Sequence, residues 1–342
     1  MKKWKKVMTA VLMAGMLAGC GVAEKDDSVY RVSIVAGTGG INDQSFNQVS
    51  WEGLQSFGAH TGADVRVLES KQASDYLTNI DRETDTYSDL VWALGYSQAD
   101  AMLTIAKMNP DINFVIVDYA FDESPQNCTG VVFRAQESSF LVGYIAGLTT
   151  KTDKVGYVGP MKSFLNDQFQ YGYMGGVAYA GHVLGRQIEV QSQFTESYTD
   201  AAKAKAISNK MYSSGCDIIF HSAGGAGYGV IESAKENGKL VIGVDTDQSY
   251  LAPENVLTSG MKNTNIAVEL VSTMAMEGEK IGGNTYSYGL KEGCVGIPEV
   301  NKLMDPAVYE QAMALQQMII DEELTPPVSE ETYQSFVEGL GK

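Results

Sequence analysis

The chain has 342 residues, 44% hydrophobic, 20% charged and 9% aromatic, too apolar for a disordered segment and too long for a disulfide-stapled mini-domain. The formal net charge is −17, and four of the 25 basic residues fall in the first six positions, leaving 21 against 42 acidic residues; this excludes non-specific nucleic-acid binding through a basic face. Four cysteines without a CxxC pair or a Cys/His cluster make neither a disulfide framework nor a zinc site, so no metal is expected.

Lys2, Lys3, Lys5 and Lys6 form a basic start, and Val7 to Leu17 is an apolar stretch too short to span a bilayer comfortably. Leu17-Ala18-Gly19-Cys20 closes it and resembles the bacterial lipobox, in which the cysteine is lipid-modified and becomes the first residue after cleavage. Residues 1–19 are therefore expected to be a lipoprotein signal peptide and residues 20–29 the lipidated cysteine with a polar tether. An ordinary secretory peptide with a chance cysteine is the alternative. No later stretch reaches about 18 consecutive apolar residues. The body is expected on the extracytoplasmic face of a bacterial cell membrane, held by acyl chains. Cys128, Cys216 and Cys294 are odd in number, so at least one is unpaired within the chain, and all three are expected as small buried hydrophobes.

From Val29 onward, short apolar runs alternate with longer segments at helical spacing. Strands are predicted at Val29 to Ala36, Val65 to Leu68, Leu90 to Leu94, Asn113 to Asp118 and Gly130 to Arg134. Helices are predicted at Ser45 to His60, Gln98 to Met108 and Glu137 to Thr150, with Asn109-Pro110 stopping the second. The pattern restarts with strands at Lys154 to Val158, Gln187 to Gln193, Asp217 to His221, Leu240 to Val244 and Val256 to Ser259. Helices between them are predicted at Phe169 to Leu184, Asp200 to Ser213 and Tyr228 to Asn237. Alternation of this kind gives parallel sheets covered by helices on both faces. Two such runs predict an α/β molecule of two doubly wound lobes. The last third, with helices at Thr264 to Glu277 and Pro306 to Asp321 and a strand near Tyr286 to Leu290, is too short for a third lobe and is expected to cross back into the other two. Residues 30–135 plus about 260–285 are assigned to lobe 1, and residues 136–259 plus about 286–342 to lobe 2.

Ligands of open parallel sheets bind beyond the carboxyl ends of the strands. The first such end is Gly37-Thr38-Gly39-Gly40-Ile41-Asn42-Asp43-Gln44-Ser45-Phe46-Asn47, where Asp43 and Ser45 are expected to cap the next helix. Phe46 and Asn47, at its first turn, point to the cleft mouth, although Phe46 suits the core of the lobe equally well. Asp118 and Asp245 each end a buried strand, where a carboxylate needs donors; ligand hydroxyls and neighbouring backbone N–H groups both qualify. Gly224-Gly225-Ala226-Gly227-Tyr228-Gly229 lacks the GxGxxG spacing and no P-loop lysine follows, so no nucleotide cofactor is expected. A tight turn or close backbone approach to a neutral ligand explains it. The histidines lack a nucleophile partner and no GxSxG or HExxH motif occurs, so catalysis is not expected.

Gly39 to Gln48 with Trp51-Glu52-Gly53-Leu54, Gln136-Glu137-Ser138-Ser139-Phe140-Leu141-Val142-Gly143, Ala223-Gly224-Gly225 and Ile242-Gly243-Val244-Asp245-Thr246-Asp247-Gln248 resemble, in order, the motifs of the basic membrane protein family, whose best understood members are purine nucleoside receptor A-like lipoproteins. The resemblance implies a substrate-binding lipoprotein of an ABC transporter with the type I periplasmic-binding-protein fold, a nucleoside cleft between hinged lobes, and a membrane permease as partner. It implies an aromatic sandwich of the purine by Phe46 and Tyr198, contacts to the base from Asn47 and Asp118, and ribose contacts from Gly224, Asp245 and Lys262. A monomer suffices for opening and closing. Where the family commonly carries Asp, two residues before the Gly-Gly pair, this chain has Gly37. That departure leaves a sugar or another small polar metabolite as an alternative ligand; separately, aspartates beside a ribose site would suit N-glycosidic cleavage, which makes a surface nucleoside hydrolase the enzymatic alternative.

Overall fold

The computed structural model of the chain describes residues 28–341. The expected signal peptide, Cys20 and the tether up to residue 27 lie outside the described residues.

The apolar runs form two six-stranded sheets. In the first, β1 (Arg31–Ala36), β2 (Asp64–Glu69), β3 (Leu90–Leu94), β4 (Asn113–Val117), β5 (Cys128–Phe133) and β11 (Thr285–Tyr288) lie in the order β11-β5-β4-β3-β1-β2, all neighbours parallel. In the second, β6 (Lys154–Gly159), β7 (Glu189–Phe194), β8 (Ile218–His221), β9 (Leu240–Asp245), β10 (Val256–Lys262) and β12 (Val295–Gly296) run β12-β10-β9-β8-β6-β7, with only β12 antiparallel. Central strands such as β3 are buried along their whole length, which is why they read as unbroken apolar runs. The edge strands β2 and β7 stay partly exposed. Each sheet is the centre of one lobe, a type I periplasmic-binding-protein-like architecture.

Helices α1 (Phe46–Thr61), α2 (Tyr76–Asp85) and α3 (Ala99–Met108) cover the first sheet, and α5 (Phe164–Leu184), α6 (Ala201–Ser213) and α7 (Gly227–Asn237) the second. The remaining helices return the chain to one lobe or the other. α4 (Ala135–Thr149) packs on α5 and β10. α8 (Thr264–Met276) comes back against α1, at a contact so close that a Cβ on Gly53 would lie 2.4 Å from the Asn265 Cα. α9 (Pro306–Ile320) packs on α4, and α10 (Glu330–Leu340) on α5.

Among the described residues the chain therefore changes sheet after β5, after β10 and between β11 and β12. The expected change-over near 286 falls after Tyr288 instead, because residues 285–288 pair with β5. Cys128, Cys216 and Cys294 are free and buried, as small hydrophobes would be. No helix of the described residues is long and apolar enough to cross a membrane.

Candidate functional site

The carboxyl ends of both sheets converge on one cavity of about 330 Å³. Lobe 1 lines it with residues that follow β1 (Gly37, Phe46, Asn47), β3 (Tyr96) and β4 (Asp118). Lobe 2 contributes residues that follow β6 (Met161, Asn166, Phe169), β7 (Tyr198) and β8 (Ser222, Gly224, Gly225), together with the last residues of β9 and β10, Asp245 and Lys262. All seven residues singled out in the sequence, Phe46, Asn47, Asp118, Tyr198, Gly224, Asp245 and Lys262, thus lie in the walls of this cavity.

At the start of α1, Asp43 takes the capping role. Its Oδ1 accepts from the backbone N–H of Ser45 (3.0 Å) and of Gln48 (3.1 Å), and its Oδ2 from that of Asn47 (3.0 Å). Ser45 does not cap: its hydroxyl donates across the cleft to the Asp245 carboxylate. Asn47 is held at both ends of its amide. Its Oδ1 accepts from the Gly37 N–H (2.9 Å) and its Nδ2 donates to Asp43 Oδ2 (2.8 Å), which fixes the orientation of the amide and leaves one N–H unspent. Phe46 serves both expected ends, since its ring packs on the apolar core and also lines the cavity.

Asp118 and Asp245 occupy equivalent places, one at the end of a strand in each lobe. Both take the left-handed backbone, with φ of 65° and 66°, which a short side chain that can bond locally tolerates better than most. Lys262 reaches from the end of β10 to Asp118 and meets both carboxylate oxygens, at 2.6 and 2.5 Å. The pair is almost fully buried, and the ammonium also lies 4.9 Å from the centre of the Phe46 ring and 5.0 Å from that of Phe133. Two of the three ammonium N–H groups are so committed and one is left.

Asp245 is buried in the cavity wall. Burial above all pushes its carboxyl up to about 6; Asp43 and Asp118 push the same way, while Lys262 and the Ser45 hydroxyl oppose them. Burial likewise raises the Tyr198 hydroxyl well above its ordinary value, so it remains a neutral phenol at physiological pH, accepting from Asn166 Nδ2 at 3.2 Å. The left-handed Gly224 lets the chain pass close under this ring: a Cβ there would meet Tyr198 Cδ1 at 3.5 Å. The cavity is therefore two-faced, with aromatic rings from opposite lobes and carboxylates, an amide and an ammonium at the strand ends. Such a lining suits a flat neutral ligand that carries both donors and acceptors.

Tyr96, Met161, Asn166, Phe169 and Ser222 were not singled out in the sequence. Tyr96, Met161 and Ser222 closely follow predicted strands, so the rule that pointed to Asp118 reached them too, but no unusual residue type or glycine run marked them; Asn166 and Phe169 belong to the first turns of α5, whose start was predicted only at Phe169. Of the histidines, His221 is buried at the end of β8 and held neutral, its pKa pushed down to about 4 by burial, and His60 pairs with Glu269 (2.8 Å) on the surface. Among the described residues no group of acidic, histidine or cysteine side chains is arranged to hold a metal ion.

Residues 31–330 match the model of a family described as ABC transporter substrate-binding protein, PnrA-like. The chain is 35% identical over 326 residues to basic membrane protein A of Borreliella afzelii, a match that covers 94% of this chain and 98% of that protein. It is also 35% identical over 350 residues to a CD4+ T-cell-stimulating antigen of Listeria monocytogenes, covering 94% and 97%. Among solved structures, a solute-binding protein of an ABC transporter system from Aeropyrum pernix superposes with a TM-score of 0.80 at 23% identity, over 91% of this chain and 97% of that one. A transcriptional activator of the comK gene from Bacillus halodurans superposes with a TM-score of 0.75 at 22% identity, over 87% and 100%. At these identities the two structures establish the fold alone.

Proposed function

We propose that this chain, which belongs to the family of PnrA-like ABC transporter substrate-binding proteins, closes its lobes on a purine nucleoside and delivers it to a membrane permease. The observation that carries this reading is the presence of Phe46 from lobe 1 and Tyr198 from lobe 2 in the walls of one cavity. A base inserted between them stacks on both faces, worth roughly 1 to 3 kcal/mol per face. Asn47 offers its remaining N–H to an acceptor on the base edge, and Asp118 keeps lone pairs for a donor beside it. Asp245, the remaining N–H of Lys262 and the backbone at Gly224 suit the ribose hydroxyls. Neither half-site offers both faces, so both rings engage the base only in the closed molecule.

The family is one of substrate-binding proteins, and in this reading the chain carries its ligand without altering it. Cys20 supplies the lipid anchor on the extracytoplasmic face, and the chain acts as a monomer. A sugar or other small polar metabolite is the second reading, favoured by Gly37, which offers the cavity no side chain. Mass spectrometry of what is released on denaturing the freshly purified protein separates the two. An intact purine nucleoside is expected. A sugar would overturn the nucleoside reading, and a free purine base with free ribose would overturn the claim that the ligand is left unaltered.

A further inference from the structure

Several hydrogen bonds join the lobes, and one set of them lies outside the cavity. Gln44, in the loop before α1, presents its backbone carbonyl to Gln248 Nε2 at 2.9 Å, and its side-chain Oε1 to the hydroxyl of Tyr250. Gln248 is itself locked into lobe 2: its Oε1 accepts from the Val244 N–H (3.1 Å) and its own N–H donates to Ser259 Oγ (3.1 Å). It is buried against Gly243, where a Cβ would lie 2.6 Å from Gln248 Oε1, so a glycine at 243 is the condition for this side chain to sit there. On the other side of the cleft Gln44 is held with φ of 54°, and its N–H donates to Gln48 Oε1 at 3.2 Å. A residue in that uncommon conformation, fixed on one lobe and met by two donors from the other, is a built contact rather than a chance one.

Gln44, Gln248 and Tyr250 are not among the residues that line the cavity. The Ser45–Asp245 bond also spans the lobes, but Asp245 faces the cavity, so a ligand competes for it. Nothing in the cavity competes for Gln44.

We propose that Gln44 of lobe 1 with Gln248 and Tyr250 of lobe 2 forms a latch that holds the lobes closed independently of any ligand. The latch rests on the two-lobed closure described above but not on the identity of the ligand. It sets the fraction of empty protein that is already closed. By closing the molecule from outside the site, it slows ligand escape and leaves the chemistry of recognition unchanged.

The test is the distance between the lobes in the absence of ligand. Nitroxide labels at Lys71→Cys on lobe 1 and Lys203→Cys on lobe 2, both exposed, report it by pulsed electron resonance. The three native cysteines of the two lobes are buried and stay unlabelled. Tyr250→Phe removes one hydroxyl from a side chain that is 55% exposed, and Gln44→Asn shortens the acceptor while keeping a residue type that tolerates positive φ; both variants should fold. The empty parent protein is expected to show a closed population, and each variant to lower its closed-to-open ratio about three- to tenfold, as loss of one hydrogen bond implies. Distance distributions that are the same in the parent and both variants, whether open or closed, would overturn the latch. Titration with purine nucleosides is a separate readout: silence there, with the shift in distances intact, removes the nucleoside reading and leaves the latch standing.

Discussion

Asp245 concentrates the electrostatics of the site in one side chain. Its carboxyl is buried in the cavity wall, and burial pushes its pKa up to about 6 in the folded chain, against 3.8 when exposed. Between about pH 4 and 6 the folded protein therefore holds a proton that the unfolded chain has lost. This group's contribution consequently makes the fold less stable as pH rises through that window, and the penalty is complete above pH 6 and absent below 4. Asp245→Asn, which cannot ionise, is expected to stabilise the empty protein at pH 7 by on the order of 2 to 3 kcal/mol and to change it little at pH 4, as read from urea unfolding. An equal effect at both pH values would show that charge burial is not the cause. Asp118 stands at the same point of the other lobe but has Lys262 directly against it, at 2.5 to 2.6 Å from its two carboxylate oxygens. That difference was invisible in the sequence, where both aspartates end an apolar run and neither run names its partner. The aromatic pair was legible only through resemblance, since nothing in the spacing of Phe46 and Tyr198 brings them together.

At the scale of elements, the strands were legible and their partners were not. Leu90–Leu94 and Asn113–Val117 are buried on both faces and appear as plain apolar runs. α2 escaped because only Tyr76, Ile80 and Glu83 are buried, its other apolar residue, Leu77, is exposed and the rest is polar, and α10 because none of its residues is fully buried. The return of α8 to lobe 1 depends on a single small residue in α1. Gly53 allows Asn265 to approach to a distance that a side chain forbids, and the obstacle is backbone, which cannot swing aside. Gly53→Val is expected to destabilise lobe 1 by at least 1 to 3 kcal/mol, roughly the cost of overpacking a tight interior, and to do so with or without ligand. An unchanged denaturation midpoint would mean that α8 is free to shift on α1. The same contact bears on closure, because α8 follows directly from Lys262 at the crossing between the lobes.

At the scale of the whole molecule, two sheets present their carboxyl ends to one another across a cavity, and the chain passes between them more than once. Repeated crossing confines the relative motion of the lobes to a hinge. Aromatic rings line the cavity from both lobes, Asp245 and Lys262 stand at the strand ends that face it, and Gln44 with its partners bridges the lobes outside. The measurement that tests this account most directly is calorimetric titration of the chain from Gly21 onward, unfolded and refolded to shed any carried ligand, against guanosine, inosine, adenosine, cytidine and ribose. Saturable one-to-one binding of purine nucleosides is predicted, with ribose silent and with Phe46→Ala weakening the affinity by about tenfold or more. Silence toward every nucleoside from a refolded protein, or an affinity unchanged in Phe46→Ala, would contradict the central claim that the lobes close on a stacked purine.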